Sequence, residues 1–277
     1  MHIAKGLYHT IYHPRLIMIP LIVNVILTFL GVVAVYFNFN MFSFHRSDLH
    51  IPYGIVSPEE IYLLLQIPSS NKWILTSIAT VLIILIKSYA LSMYLGSMKC
   101  FLEGPDNTYS ILKIAPYYFE RMVQFSIIEF LVSCIILLLT QVYWPIAILM
   151  MVIALLYSLT PYILVLEDTS IWNALRKSPT HCFQNIGTLF TIAVTSLVVL
   201  ILITKLPLTD YKMAYYLITL ITSFIGTSMI FAVMSCLHEN FYRFTLPAKR
   251  VKKSRKLFPP LWIVALLLPI LGALLLS

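Results

Sequence analysis

Charged residues are scarce in this sequence. They make up 11% of its 277 residues, whereas hydrophobic residues make up 60%. An ordinary soluble domain is about 25% charged and about 45–50% apolar. A soluble globule with this composition would lack the polar side chains needed to cover its surface, so the composition predicts a membrane protein.

Sequence motifs for catalysis are also missing. The chain contains no P-loop, no GxSxG, no HExxH and no dinucleotide-binding glycine pattern. The two pairs of metal-ligand residue types, His181 with Cys182 and Cys236 with His238, lack a diagnostic spacing for zinc. We therefore expect no enzyme activity, no catalytic residues, no cofactor and no metal site.

Cysteine is rare, with four residues in the chain. Cys134 falls inside a long hydrophobic run, and Cys100, Cys182 and Cys236 fall near the ends of such runs, beside basic segments. Structural disulfides persist in oxidising compartments. Because no cysteine falls in a segment expected outside the cell, we expect no structural disulfide.

Long hydrophobic runs dominate what is present. About 20 apolar residues suffice for a helix to cross a bilayer, so we expect an all-α integral membrane protein with a six-span core in residues 1–240. A basic cytoplasmic loop, 241–260, and a short hydrophobic segment, 261–277, follow. This segment is either a seventh span or a tilted terminal hairpin element. The six expected spans are 16–37, 73–94, 122–140, 145–166, 186–203 and 213–234, with the second helix continuing to Leu102.

The distribution of lysine and arginine predicts the orientation. With the N-terminus inside, 14 basic residues fall in cytoplasmic segments, one in a span and four in outer loops. The four are Arg46, Lys72, Lys205 and Lys212. Cytoplasmic loops carry the excess of Lys and Arg in membrane proteins. We therefore expect a plasma-membrane protein with a cytoplasmic N-terminus and, if all seven segments span, an external C-terminus.

Three segments each precede a span that leads out of the cytoplasm. They share an amphipathic stretch, a proline and basic or polar residues. They are residues 5–15, 108–121 and 170–185. We interpret them as cytoplasmic surface helices, either as a repeated unit or as a general result of positive-inside bias. In the third, Thr169 or Ser170 is the expected helix cap, and Pro179 is expected to end or kink the helix. Ile171, Ala174, Leu175 and Ser178 fall on one face of this helix, and Asn173, Arg176 and Lys177 fall on another.

Polar residues inside the expected spans are the main functional candidates. Lys87 and Glu129 would lie at similar depths, which fits a structural ion pair, a Lys87 side chain reaching to the surface, or a proton or substrate site. Thr160 and Pro161 indicate a kink. A stripe of small residues on the sixth span predicts close helix packing. It comprises Thr219, Thr222, Ser223, Gly226 and Thr227.

The densest basic cluster is the segment 248–256. It serves as a topology signal and is a candidate contact for anionic lipid at the cytoplasmic face. The candidate contact residues are Lys249, Arg250, Lys252, Lys253, Arg255 and Lys256. Since positive charge in a membrane protein is explained by cytoplasmic loops, we expect no nucleic-acid partner.

Two segments, Tyr94–Phe125 and Val165–Phe190, resemble a bacterial superfamily of uncharacterised six-span proteins related to the membrane domain of glycerophosphoryl diester phosphodiesterases. Gly96 near the end of the second span, Glu167, and the run Ala174-Leu175-Arg176-Lys177-Ser178 carry the resemblance. It implies a six-span core in the bacterial plasma membrane and no settled activity. The hydrophobic segment 261–277 departs from that plan, and catalysis does not carry over because no phosphodiesterase domain is attached.

These features predict a non-enzymatic scaffold or accessory factor for envelope or membrane-complex function, in contact with bilayer lipid and a membrane-protein partner. The alternative is a transporter, or the membrane subunit of one, with Lys87 and Glu129 in the translocation path. A lipid-modifying enzyme has the least support.

Overall fold

The computed structural model describes residues 2–13, 16–20, 22–23, 26, 73–103, 111–204 and 212–242, and within these ranges all regular secondary structure is helical. This confirms the all-α class. The segment 16–26 is helical where described, and a π-helical turn, His238–Tyr242, follows the last labelled helix. The labelled helices are α1 His2–Tyr12, α2 Trp73–Glu103, α3 Ile111–Val142, α4 Trp144–Leu156, α5 Thr160–Glu167, α6 Ile171–Gln184, α7 Ile186–Thr204 and α8 Lys212–Leu237.

Helix α2 continues one residue beyond the predicted Leu102, as its apolar sequence suggested. Helix α3 differs from the prediction, because the expected surface segment 108–121 and the span 122–140 share one continuous helix from Ile111. Pro116 lies inside it, although proline removes one intrahelical hydrogen bond. The second segment is therefore not a separate surface helix, and the three segments do not share one shape.

The helix is interrupted just before Thr160, close to the position where a kink was predicted. Helix α4 ends at Leu156, a turn covers 157–159, and α5 begins at Thr160. Pro161 lies in the first turn of α5, where its missing N–H removes no intrahelical bond. The Thr160 hydroxyl donates to the Tyr157 carbonyl at 2.6 Å, which stabilises the turn.

Helix α6 folds back against α5. The chain reverses at Asp168, which has left-handed backbone angles (φ 53°, ψ 42°), and Ser170 occupies the cap position without a side-chain cap bond. Of the four residues that the helical spacing placed on one face, Ile171, Ala174 and Ser178 are buried and Leu175 is half-buried. The Ser178 hydroxyl donates to the Leu156 carbonyl at 2.8 Å, so this face of α6 is fixed to the α4–α5 break.

Pro179 was expected to end or kink α6, and it does not end the helix, which continues to Gln184. Packing on both sides of the proline explains this: Ser178 is buried, and Cys182 contacts the core on the next turn. The chain turns instead at Asn185, where α6 and the first part of α7 meet at 86°. Tertiary contacts therefore outweigh the helix-breaking tendency of the proline.

The buried core lies where one end of each long helix converges. Helix α5 is its centre, because every residue from Thr160 to Leu166 is buried. The second half of α2, the first half of α3, α6 and the π-helical turn that follows α8 pack against it. Buried side chains of the core include Tyr94, Met98, Tyr118, Met122, Phe231 and Met234.

Helix α1 packs closely on the last turns of α8. A Cβ atom on Gly6 would lie 2.1 Å from the Ser228 carbonyl oxygen and 3.2 Å from the Ala232 Cβ, so only glycine allows this approach. By contrast, a Cβ atom on Gly226 would meet no described atom within 4 Å. The close packing predicted for the polar stripe on α8 therefore does not involve Gly226.

Within the described ranges, one helical stretch, Pro145–Glu167, is long and apolar enough to cross a membrane. A second candidate for a membrane span is present if Ile171–Gln184 and Ile186–Val199 together form one broken span. The core helix of a soluble protein passes the same test of length and composition. The six or seven spans therefore stay a prediction, and the segments 38–72 and 243–277 lie outside the described residues.

Candidate functional site

The densest polar cluster lies at the end of α5, and we call it the Asp168 junction. It comprises Lys99 and Glu103 from α2, Tyr117 and Arg121 from α3, and Asp168. These residues come from three parts of the chain that the core packing brings together. The reversal at Asp168 directs its carboxylate toward α3.

Two side chains of α3 bind the Asp168 carboxylate. The Tyr117 hydroxyl donates to Oδ2, and the Arg121 guanidinium donates to Oδ1 at 2.5 Å. Arg121 also donates to the Thr169 carbonyl at 3.3 Å and lies over the Tyr117 ring. Burial alone would lower the pKa of Arg121, but the bond and charge of Asp168 outweigh burial and raise it. Arg121 thus stays charged and holds the reversal in place.

Lys99 completes the junction from α2. Its ammonium donates to the Val165 carbonyl at 2.9 Å and lies 3.7 Å from the Glu103 carboxylate. Burial lowers the pKa of Lys99, and the charges of Glu103 and Asp168 partly oppose that shift. For the Glu103 carboxyl, burial raises the pKa and Lys99 opposes the change. The carbonyl of Val165, near the C-terminal end of α5, is a favourable partner for a cation.

A second polar contact attaches α1 to the end of α8. The Lys5 ammonium donates to the Glu239 carboxylate at 2.7 Å, and the Ser235 hydroxyl donates to it at 3.2 Å. Burial opposes ionisation of Glu239, but the bond and charge of Lys5 lower its pKa overall. On the same face of α1, His9 stacks on Phe231 with ring centres 4.7 Å apart.

The cysteine and histidine pairs singled out from the sequence lie on α6 and at the end of α8, and these two segments contact each other. Among the described residues, no group of three or more His, Cys, Asp or Glu side chains is arranged to hold a metal ion. Cys236 instead lies beside two amides, since Asn240 Nδ2 donates to Asn185 Oδ1 at 2.6 Å and approaches the Cys236 sulfur at 3.5 Å. His181 packs against the Phe241 ring.

The two intramembrane candidates lie on neighbouring helices. Lys87 is on α2 and Glu129 is on α3, and both are half-buried. The Ser88 hydroxyl donates to the Ser126 hydroxyl at 2.9 Å, which sets an antiparallel register between the two helices. In this register Lys87 and Glu129 lie at nearly the same level, as residue counting suggested. The basic residues of 248–256 lie outside the described residues.

The Asp168 junction suits mechanical linkage better than catalysis. Its charged groups bind one another, and the neighbouring Cys100 thiol is not activated, since burial raises its pKa to about 11. Sequence reasoning counted Lys99 and Arg121 only as topology signals and did not identify Asp168 or Tyr117. The signal that was available is the polar run Glu167–Ser170, placed directly after a buried apolar helix.

Comparisons with known proteins return no match: no protein-family model, no curated protein and no solved structure is significantly similar to this chain.

Proposed function

We propose that this chain is a multi-pass plasma-membrane protein that acts as a non-enzymatic scaffold or accessory factor in a membrane complex. The proposal includes the six spans, the cytoplasmic N-terminus and the bacterial setting that the family resemblance implies. The Asp168 junction then lies at the cytoplasmic end of the spans.

The observation that carries the proposal is the apolar exposed surface of the described helices. Away from the core, α4 exposes Ile148, Leu149 and Val152, and α7 exposes Phe190 and Leu197 among other large apolar side chains. Soluble monomers rarely expose contiguous apolar patches of such extent. A bilayer covers such surfaces without a further partner.

The exposed surface of helix α1 also fits a membrane environment. Its exposed side chains include Leu7, Tyr8, Ile11 and Tyr12, while Gly6 and Thr10 are buried against the protein. This arrangement is the reverse of a helix on a soluble protein, where polar residues face the solvent. An apolar face rich in tyrosine fits the boundary between headgroups and acyl chains.

Membrane extraction and cysteine labelling test this assignment. We expect the full chain to stay in the membrane pellet after alkaline carbonate treatment. In intact cells, Cys182 should react with a permeant thiol reagent but not with an impermeant one, whereas a cysteine added at the C-terminus should react with both if the last segment spans. Release by carbonate would contradict membrane integration, and external labelling of Cys182 would reverse the orientation.

The scaffold role predicts a stable partner. Purification of the full chain in mild detergent, followed by mass spectrometry, should recover a membrane protein in stoichiometric amount. Asp168→Asn should reduce recovery of that partner if the junction organises the binding surface. Purification of the chain with lipid alone would count against a scaffold.

A transporter is the second candidate, and the α2–α3 register favours it. Lys87 and Glu129 lie at one level in otherwise apolar parts of two packed helices, and such residues commonly mark proton pathways. Proton flux into proteoliposomes, followed with a pH-sensitive dye, should then disappear in Lys87→Met and Glu129→Gln. Equal flux in both variants and the parent protein, at equal reconstitution, would remove this candidate.

A further inference from the structure

The outward face of α6 carries one cation between two aromatic side chains. Trp172, Arg176 and Phe183 follow the spacing i, i+4 and i+11, which places them along one stripe of an α-helix. All three are exposed, with Trp172 at 73% and Phe183 at 60% of their full surface. The opposite face is fixed to the protein through the buried residues Ala174 and Ser178. The stripe is thus presented by a firmly held helix.

The two basic residues of α6 differ in their partners. Lys177 donates to both carboxylate oxygens of Glu167, at 2.7 and 2.8 Å. Arg176 makes no ion pair within the described ranges. An exposed guanidinium between aromatic rings is suited to a phosphate, which it can bind with two parallel N–H donors.

The exposed surface on the other side of the elbow between α6 and α7 is mostly apolar. Beyond Phe183, the exposed face of α7 carries Ile186, Phe190, Val194 and Leu197. The chain bends by 86° between the two helices, so the basic and aromatic face of α6 is followed along the chain by a mostly apolar exposed face on α7. A phospholipid has the same arrangement, with an anionic phosphate above apolar chains.

We propose that the α6–α7 elbow binds an anionic phospholipid, with its phosphate on Arg176, its headgroup region between Trp172 and Phe183, and an acyl chain along Phe190 and Val194. This inference rests on the proposed membrane location and adds a lipid site separate from the basic segment 248–256. Tryptophan suits this place because its ring is stable at the boundary between headgroups and chains.

Lipid binding by the purified full chain in mild detergent tests the site. Every protein compared carries glutamine at the basic positions of 248–256. Native mass spectrometry then measures its affinity for dioleoylphosphatidylglycerol and for dioleoylphosphatidylcholine. Arg176→Gln should weaken binding of the anionic lipid about fivefold, which corresponds to about 1 kcal/mol for one basic residue near the surface. Lys177→Gln, an identical loss of charge on the next residue, should leave the affinity unchanged.

A second measurement locates the bound lipid. Phospholipid brominated on its acyl chains should quench the Trp172 component of the fluorescence, obtained as the difference between the parent protein and Trp172→Phe. Added inorganic phosphate should not displace the lipid, because the acyl chain contributes to binding.

Equal affinities of Arg176→Gln and Lys177→Gln for the anionic lipid would overturn this site. Displacement by inorganic phosphate, or loss of a copurifying protein in Arg176→Gln with lipid retained, would overturn it as well. These results leave the membrane location intact, since that depends on the carbonate and labelling experiments. Release of the chain from membranes by carbonate would remove both proposals.

Discussion

Replacing Gly6 with alanine tests the close contact between α1 and α8. The added Cβ atom would lie 2.1 Å from the Ser228 carbonyl oxygen, with the Ala232 nitrogen at 3.1 Å. Because the nearest atom belongs to the backbone of α8, no side-chain rotation can relieve the clash. To reach a carbon–oxygen separation of about 3.3 Å, α1 and α8 would have to move apart by about 1 Å.

Two opposing effects set the magnitude. Forcing an extra methyl group into a packed contact costs about 1–3 kcal/mol, whereas alanine in a helix interior is favoured over glycine by about 0.5–1 kcal/mol. The packing cost dominates, and we expect a net loss of about 0.5–2 kcal/mol in the docking of α1. Since about 1.4 kcal/mol corresponds to a tenfold change in an equilibrium constant, the undocked fraction of α1 should rise several-fold.

Hydrogen–deuterium exchange of the full chain in nanodiscs measures this change. In Gly6→Ala, amides of residues 2–13 and of the last turns of α8 should exchange faster, while those of α2 keep their protection. The matched control is Gly187→Ala on α7, where an added Cβ atom meets no described atom within 4 Å. The control should retain or slightly increase protection. Equal protection in both variants would show that α1 does not pack on α8 as described.

Two further predictions concern charge and pH. Asp168→Asn keeps the side-chain shape but removes the charge bound by Arg121, so thermal unfolding should show a loss of about 1.5–3 kcal/mol; Glu167→Gln, from a more exposed pair, should cost about 0–1 kcal/mol. Burial lowers the pKa of His9 and of His13 below the usual value of 6.5, so their neutral forms favour the folded state. Their contribution is complete above pH 6.5 and is lost as the pH falls through the lowered values. We therefore expect faster hydrogen–deuterium exchange of the α1 amides below pH 6. If a variant with glutamine at both histidines shows the same pH dependence of exchange, the two histidines are not responsible for it.

Local sequence patterns predicted much of the helical architecture. Long apolar runs predicted helices at 73–94 and 186–203, and Pro161 predicted the break before α5 because proline lacks an N–H. At Pro179 the same reasoning allowed either an end or a kink, and α6 does not end there. The two prolines have the same chemistry, but Pro161 lies in a first turn and Pro179 lies between buried turns. A rule based only on the local sequence around a proline cannot distinguish these two positions.

The candidate site required the tertiary structure. Lys99 and the Val165 carbonyl are 66 residues apart in the chain, and Arg121 and Asp168 are 47 apart. From the sequence, each lysine and arginine contributed only to a charge count for its segment, because charge bias sets orientation without selecting partners. Once α5 is buried among α2, α3 and α6, polar groups at its end must find partners within the protein.

The sequence by itself determined the composition, the helical class and the expected sidedness, since these follow from how much apolar surface and positive charge each segment carries. Only the tertiary structure decided that Gly6, and not Gly226, marks a close helix contact, and that Asp168 joins three parts of the chain. The physical reason is that close approach and ion pairing depend on neighbours distant in sequence. Hydrophobicity and helix propensity are properties of each segment alone.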